Sequence, residues 1–215
     1  MMGPTGKTIE LDYQRRRLRL CNQRCHDWTH PYGYLDNDNT LSHAGCGIFS
    51  IVNASEWLTG VFHDPDELAQ FSLDHGGRGD DGTDRPVLLQ AMTDLGLARE
   101  YGFDYHGDGL RNDLDTLYTH LLNGNAALCN LRVGHIVALI GARERDGVRQ
   151  VLAADPYSES MDSRVTDHVF EVIPGSEVVS AFQNAKGLTV GWQRTYALFW
   201  AELSIVRDFN LLYRI

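Results

Sequence analysis

The sequence predicts an α+β protein in which helices carrying a cysteine come first and an antiparallel sheet follows. Two observations carry that expectation. From Cys46 to Leu122 apolar residues recur at helical spacing between Gly, Pro and Asp punctuation, and from Ala126 onward they fall in short runs bounded by turn residues. With 215 residues, 43% of them hydrophobic, the chain is long enough for one well-buried core, and 21 glycines and six prolines fit a loop-rich mixed fold better than a helical bundle.

Residues 1–20 read as an N-terminal extension and 21–215 as a single domain without repeats, linkers or low-complexity segments. The basic run Arg15-Arg16-Arg17-Leu18-Arg19 is short and reads as a solvated face. After Gly45-Cys46-Gly47, the residues Ile48, Ile51, Val52, Ala54 and Leu58 predict a helix that Gly60 stops. Asp64-Pro65-Asp66-Glu67 predicts a helix start with Asp64 as N-cap, Pro65 at the first position and Glu67 closing a capping box. Further helices are expected over Arg85–Leu95, ended by Gly96, and over Leu110–Leu122, ended by Asn123-Gly124. Strands are expected at Ala126–Leu131, His135–Ala142 and Val148–Ala154, with a hairpin turn at Arg145-Asp146-Gly147. Val165–Ile173 and parts of Tyr196–Tyr213 also look strand-like, with a short helix near Glu177–Ala185 between them. Trp192, Tyr196, Phe199 and Trp200 read as core or cleft wall.

The formal net charge of −10 argues against nucleic acid or an anionic membrane surface as partner, since both need a basic face. No apolar run approaches the roughly 20 residues that span a bilayer, and Met1–Lys7 opens no signal-like apolar region. Four cysteines are too few for a disulfide scaffold, so a reducing cytoplasm is the expected setting. Cys21, Cys25 and His26 superficially suggest a metal site but lack a second, distant ligand pair at tight spacing. Asp36 and Asp38 resemble the start of a calcium loop without its glycine or closing glutamate.

Three residues together suggest chemistry. Cys46, at a helix start, would sit where free N–H groups and the helix dipole favour a thiolate, with flanking glycines that let a substrate backbone approach. Taken alone, a helix cysteine is more often simply buried. His135 opens an apolar strand, and Asp155 closes the next one in Asp155-Pro156. A hairpin would bring that histidine beside that aspartate, the arrangement in which a carboxylate orients an imidazole toward a nucleophile.

The run from Gln23 to Asp155 resembles the papain-like bacterial family related to the double-glycine (bacteriocin-leader) peptidases, in its stand-alone branch. The matching parts are Gln23, Trp28, Tyr32-Gly33, Gly45-Cys46-Gly47, Gly82-Thr83, Gly96-Leu97, Leu121-Leu122-Asn123-Gly124, Gly134-His135 and Asp155-Pro156. Together they span about two thirds of the chain. The resemblance implies a helical subdomain bearing the cysteine, packed on an antiparallel sheet bearing His and Asp. It assigns Cys46 as nucleophile, His135 as general base and acid, and Asp155 as orienting carboxylate. The oxyanion-holding glutamine of papain-like enzymes commonly lies six positions before the cysteine, where this chain has Thr40. Gln23 takes that role here as first candidate, and Asn39 is the second. Leader-cleaving relatives are fused to an exporter. This chain has no spanning segment and no phosphate-binding Gly-x-x-x-x-Gly-Lys motif, so a double-glycine substrate is not carried over.

The expected function is a cysteine peptidase or amide hydrolase working through a thioester, without a cofactor, on a peptide or amide substrate. The alternatives are acyl transfer with the same triad and a non-catalytic peptide-binding module. Oligomeric state is not fixed by the sequence.

Overall fold

In a computed structural model, residues 7–23, 25, 27–35, 38–131, 134–156, 168–183 and 189–215 are described, with the backbone alone for 178–183 and 189–195. The chain begins with a hairpin, β1 (Thr8–Tyr13) and β2 (Arg16–Cys21), paired Thr8 to Cys21 through Tyr13 to Arg16. Its inward residues Leu11, Leu18 and Leu20 are buried in the main core. This corrects the expected N-terminal extension: the 20/21 boundary falls inside β2, and alternation in only six residues per strand is too short a signal to read beside four arginines. Arg17 faces solvent beside Glu10 and Asp12, whereas Arg16 lies over Trp57 and donates to its carbonyl.

The helical part follows: α1 (Leu41–Ala44), α2 (Cys46–Thr59), α3 (Pro65–Asp74), the small ladder β3 (Arg78–Gly79) and β4 (Gly82–Thr83), α4 (Arg85–Asp94) and α5 (Leu97–Glu100). Gly60 ends α2 in the left-handed conformation at φ 77°, which a glycine adopts without strain. Asp64 caps α3 through the N–H of Asp66, and Asp84 caps α4 through that of Val87, each with proline in the first turn. Leu88, Leu89 and Met92 face inward as expected, but Leu95 is exposed.

After β5 (Phe103–Asp104), α6 spans Leu114–Leu122, four residues shorter at its start than the spacing predicts. The reason is Asp113, whose carboxylate accepts from the N–H groups of Asp115 and Thr116 and fixes the first turn there, leaving Leu110 exposed.

The remaining chain is strand: β6 (Ala126–Leu131), β7 (Ile136–Arg145), β8 (Val148–Ala154), β9 (Val169–Val172), β10 (Glu177–Gln183), β11 (Thr189–Tyr196), β12 (Leu198–Glu202) and β13 (Val206–Arg214). The helix expected near Glu177–Ala185 is instead β10, which pairs antiparallel with β11; Val178 and Val179 are β-branched and favour the ladder. The expected strand start at 165–167 lies outside the described residues.

Seven strands form one antiparallel sheet in the order β5-β13-β6-β7-β8-β12-β9. Both faces are covered, which is why its central strands read as nearly continuous apolar runs. Leu128, Ala138, Ile140, Leu152 and Ala154 pack with Ile48, Ile51 and Val52 of α2. Cys129, Val137, Leu139, Val151 and Ala153 pack with Leu117 and Leu121 of α6. The mixed helix and antiparallel sheet agree with the α+β expectation. Among the described residues no helix is long and apolar enough to cross a membrane.

Candidate active site

One end of this sheet gathers the residues of interest. His135 immediately precedes β7 and Asp155 immediately follows β8. The β7–β8 register, with Ala138 opposite Ala154, brings the two ends together. Nε2 of His135 lies 2.8 Å from Oδ1 of Asp155, and both residues are buried. That contact leaves the other ring nitrogen for the Cys46 thiol, with which the imidazole is hydrogen-bonded.

Cys46 is the first residue of α2 and keeps partial solvent access. Burial pushes its thiol pKa up, but the hydrogen bond and charge of His135 outweigh that and hold it below the ordinary thiol value. The backbone N–H groups of Ile136 and Gly47 also donate to the sulfur. His135 shows the complementary balance. Burial disfavours its cation, while the Asp155 charge, the Asp155 hydrogen bond and the Cys46 contact raise its pKa well above the usual imidazole value. The other described thiols differ: burial drives Cys21 and Cys129 upward, and burial also raises Cys25.

The two glycines flanking Cys46 have a different role from the expected one. A Cβ on Gly47 would lie 2.4 Å from Cβ of Thr83, and one on Gly45 would lie 2.6 Å from the Leu41 carbonyl and 2.9 Å from the Phe49 ring. Both make room for the protein's own packing rather than for a substrate. Thr83 in turn hydrogen-bonds the hydroxyl of the fully buried Tyr32 at 3.0 Å, and that hydroxyl also meets Ser72 at 2.9 Å. Arg78, buried, donates to the Tyr32 carbonyl at 3.0 Å and bridges to that of Gly82 at 2.8 Å. The sequence fragments Tyr32-Gly33 and Gly82-Thr83 therefore meet at the start of α2.

Gln23 is buried at the same end. Its backbone N–H donates to the Pro156 carbonyl at 2.8 Å, next to Asp155, and its Nε2 donates to the Ser42 carbonyl at 3.3 Å, four residues before Cys46. Trp28 fixes this loop by packing on Phe49 of α2 and donating from Nε1 to the Asn22 carbonyl at 2.9 Å. The Thr40 hydroxyl meets the Ser42 hydroxyl and the His43 ring. The Asn39 carbonyl receives the Tyr32 N–H at 2.8 Å. Of the metal-like cluster, Cys21 and Cys25 are buried and His26 lies outside the described residues, as does Asp36 of the calcium-like loop.

Sequence reasoning missed the Ile136 and Gly47 N–H groups at the sulfur, because backbone donors leave no trace in residue type. It also missed the buried ion pair of Arg85 with Asp208, in which Arg85 additionally donates to the Leu128 carbonyl at 3.1 Å and ties α4 to β6 and β13. No family model matches the chain, and no curated protein or solved structure matches it either.

Proposed function

We propose that the chain is a cysteine-dependent hydrolase of peptide or other amide bonds, papain-like and related to the stand-alone branch of the double-glycine peptidase family. The observation that carries this reading is the chain of contacts from the Cys46 thiol through the His135 ring to Asp155, with Nε2–Oδ1 at 2.8 Å. A thiol held below its ordinary pKa beside an imidazole held above its own is the pairing that yields a thiolate and an imidazolium near neutrality.

In this mechanism the Cys46 thiolate attacks the carbonyl carbon. The electron pair moves onto the oxygen, which the Cys46 N–H and one N–H of the Gln23 amide receive. An amide nitrogen carries two hydrogens, so the donation from Gln23 to Ser42 leaves one for this task. Collapse breaks the C–N bond as His135 gives its proton to the departing amine, and a thioester remains. His135, now neutral, takes a proton from water, whose oxygen attacks the thioester and releases the acid and the thiolate. Asp155 stays ionised throughout and keeps the ring oriented. An amine in place of that water would make the same triad an acyl transferase.

The test is alkylation of Cys46 by iodoacetamide across pH, followed peptide by peptide, and then turnover of a mixed peptide library by wild type and Cys46→Ala. Low-pH reactivity that disappears in His135→Ala, with cleavage absent in Cys46→Ala, supports the reading. Low-pH reactivity without any turnover favours the peptide-binding alternative, and a Cys46 that titrates like Cys129 refutes the triad.

A further inference from the structure

Helix α2 is apolar along most of its length, yet Ser50, Asn53 and Glu56 recur on it at spacing i, i+3, i+6 and all are buried. Asn53 and Glu56 face the hairpin: Asn53 Oδ1 accepts the Cys21 N–H at 2.8 Å, and Glu56 Oε1 accepts that of Arg19 at 3.2 Å. Ser50 faces the sheet. Its hydroxyl donates to the Ile136 carbonyl at 3.1 Å.

That last bond bears on the site. Cys46 and Ser50 are one turn apart on one face of α2. The N–H of Ile136 points to the Cys46 sulfur, and its carbonyl is held by Ser50. The residue that follows His135 is thus gripped on both sides by one helix. Its other partner, Asn130 of β6, fixes it only along the ladder. We propose that Ser50 is the positioning residue that sets the separation of the Cys46 sulfur and the His135 ring. This rests on the hydrolase reading of the same site. A hydroxyl suits the task, since a longer donor would push helix and strand apart and an apolar side chain would leave the Ile136 carbonyl unheld in a dry interface.

The sulfur's reactivity reports that separation. Among the described residues, the ionisable groups that face it are His135 just before β7, with Asp155 just after β8 behind it, and Tyr32 from the loop before α1. Ser50 itself does not titrate, so any change it causes in the pH profile acts through geometry.

The experiment measures iodoacetamide alkylation of Cys46 by mass spectrometry in wild type, Ser50→Ala, Ser50→Thr and Asn53→Ala of the full chain. Alanine's high helix propensity offsets part of the lost bond, which keeps Ser50→Ala folded. In Ser50→Ala the rate at about pH 6 is expected to fall about five- to tenfold, the factor set by one hydrogen bond, with no change above about pH 9.5, where a solvent-accessible thiol of ordinary pKa is ionised. Ser50→Thr, which keeps the hydroxyl, returns to within about twofold of wild type. Asn53→Ala loses an equally buried bond from the same helix and keeps the wild-type profile, which separates positioning from general loosening. A wild-type profile in Ser50→Ala, or an equal fall in Asn53→Ala, overturns the proposal while the triad stands. A wild-type Cys46 without low-pH reactivity overturns both.

Discussion

Replacing Asp155 by asparagine isolates the charge of the triad from its shape. The side chain is buried against Nε2 of His135 at 2.8 Å, and asparagine preserves both the volume and an oxygen able to accept the Nε2–H. The negative charge goes, and the second carboxylate oxygen becomes an amide donor. Unit charges about 4 Å apart attract by about 4 kcal/mol at an effective dielectric near 20, and removing a buried carboxylate recovers part of that as relieved desolvation. A net loss of about 2–3 kcal/mol corresponds to about two pKa units. Burial, now unopposed by the aspartate, carries the His135 pKa down, and the thiolate loses its counter-charge. Cys46 alkylation at about pH 6 should therefore fall between about ten- and a hundredfold, with the high-pH plateau unchanged. Folding should suffer less than in Asp155→Ala, which leaves the imidazole N–H without its acceptor. An Asp155→Asn profile within about twofold of wild type would refute the argument that the carboxylate charge sustains the ion pair.

Other expectations follow from the packing and the titrating groups. Gly47→Ala gains up to about 1 kcal/mol of helix propensity but forces its methyl into Thr83, an overpacking cost of about 1–3 kcal/mol; a urea midpoint at or above wild type would show that the contact yields. Arg85→Met removes one half of a buried ion pair. Because Asp208 is 18% exposed and also meets Arg207, the cost should be about 2–3 kcal/mol rather than the 3–5 of a fully enclosed pair, measured by chemical denaturation. Tyr32→Phe should cost about 1–2 kcal/mol by loss of the hydroxyl shared by Ser72 and Thr83, with an unchanged melting temperature counting against that network. Stability should also depend on pH through Cys46. Its folded pKa is depressed, so its contribution is complete above the unfolded value of about 8.5 and is lost as pH falls through the folded one. The advantage of wild type over Cys46→Ser should rise with pH up to that value and then level off, and a flat difference would contradict the shift.

Much of the scaffold was legible because its signals are local. Gly60, the Asp64-Pro65 start and the Asp146-Gly147 turn, with φ of 54° and 76°, act within a few residues of themselves. The pairing of His135 with Asp155, 20 positions apart, is legible for another reason: a tight hairpin joins their strands. What the sequence hid depends on contacts made at a distance. The β1–β2 hairpin is defined by burial against α2, and β10 is defined by its pairing with β11. Gly45 and Gly47 looked like openings because glycine marks close approach without saying what approaches. Ser50 carries no signal in the sequence, because its carbonyl partner lies 86 positions on.

Cys46, proposed above as the nucleophile, opens a helix embedded in the core. Ile48, Phe49, Ile51, Val52 and Ala54 are all fully buried, between the hairpin on one side and the sheet on the other. Such a segment has no cheap local motion: moving Cys46 away from His135 means withdrawing a core helix. Amide protons along α2 should accordingly exchange only through global unfolding, at the slowest rates in the chain, while the exposed Gly-Asp loop around Asp80-Asp81 exchanges freely. Any motion that admits the proposed substrate must then come from the loops that border the sulfur, with the sulfur itself as the fixed point.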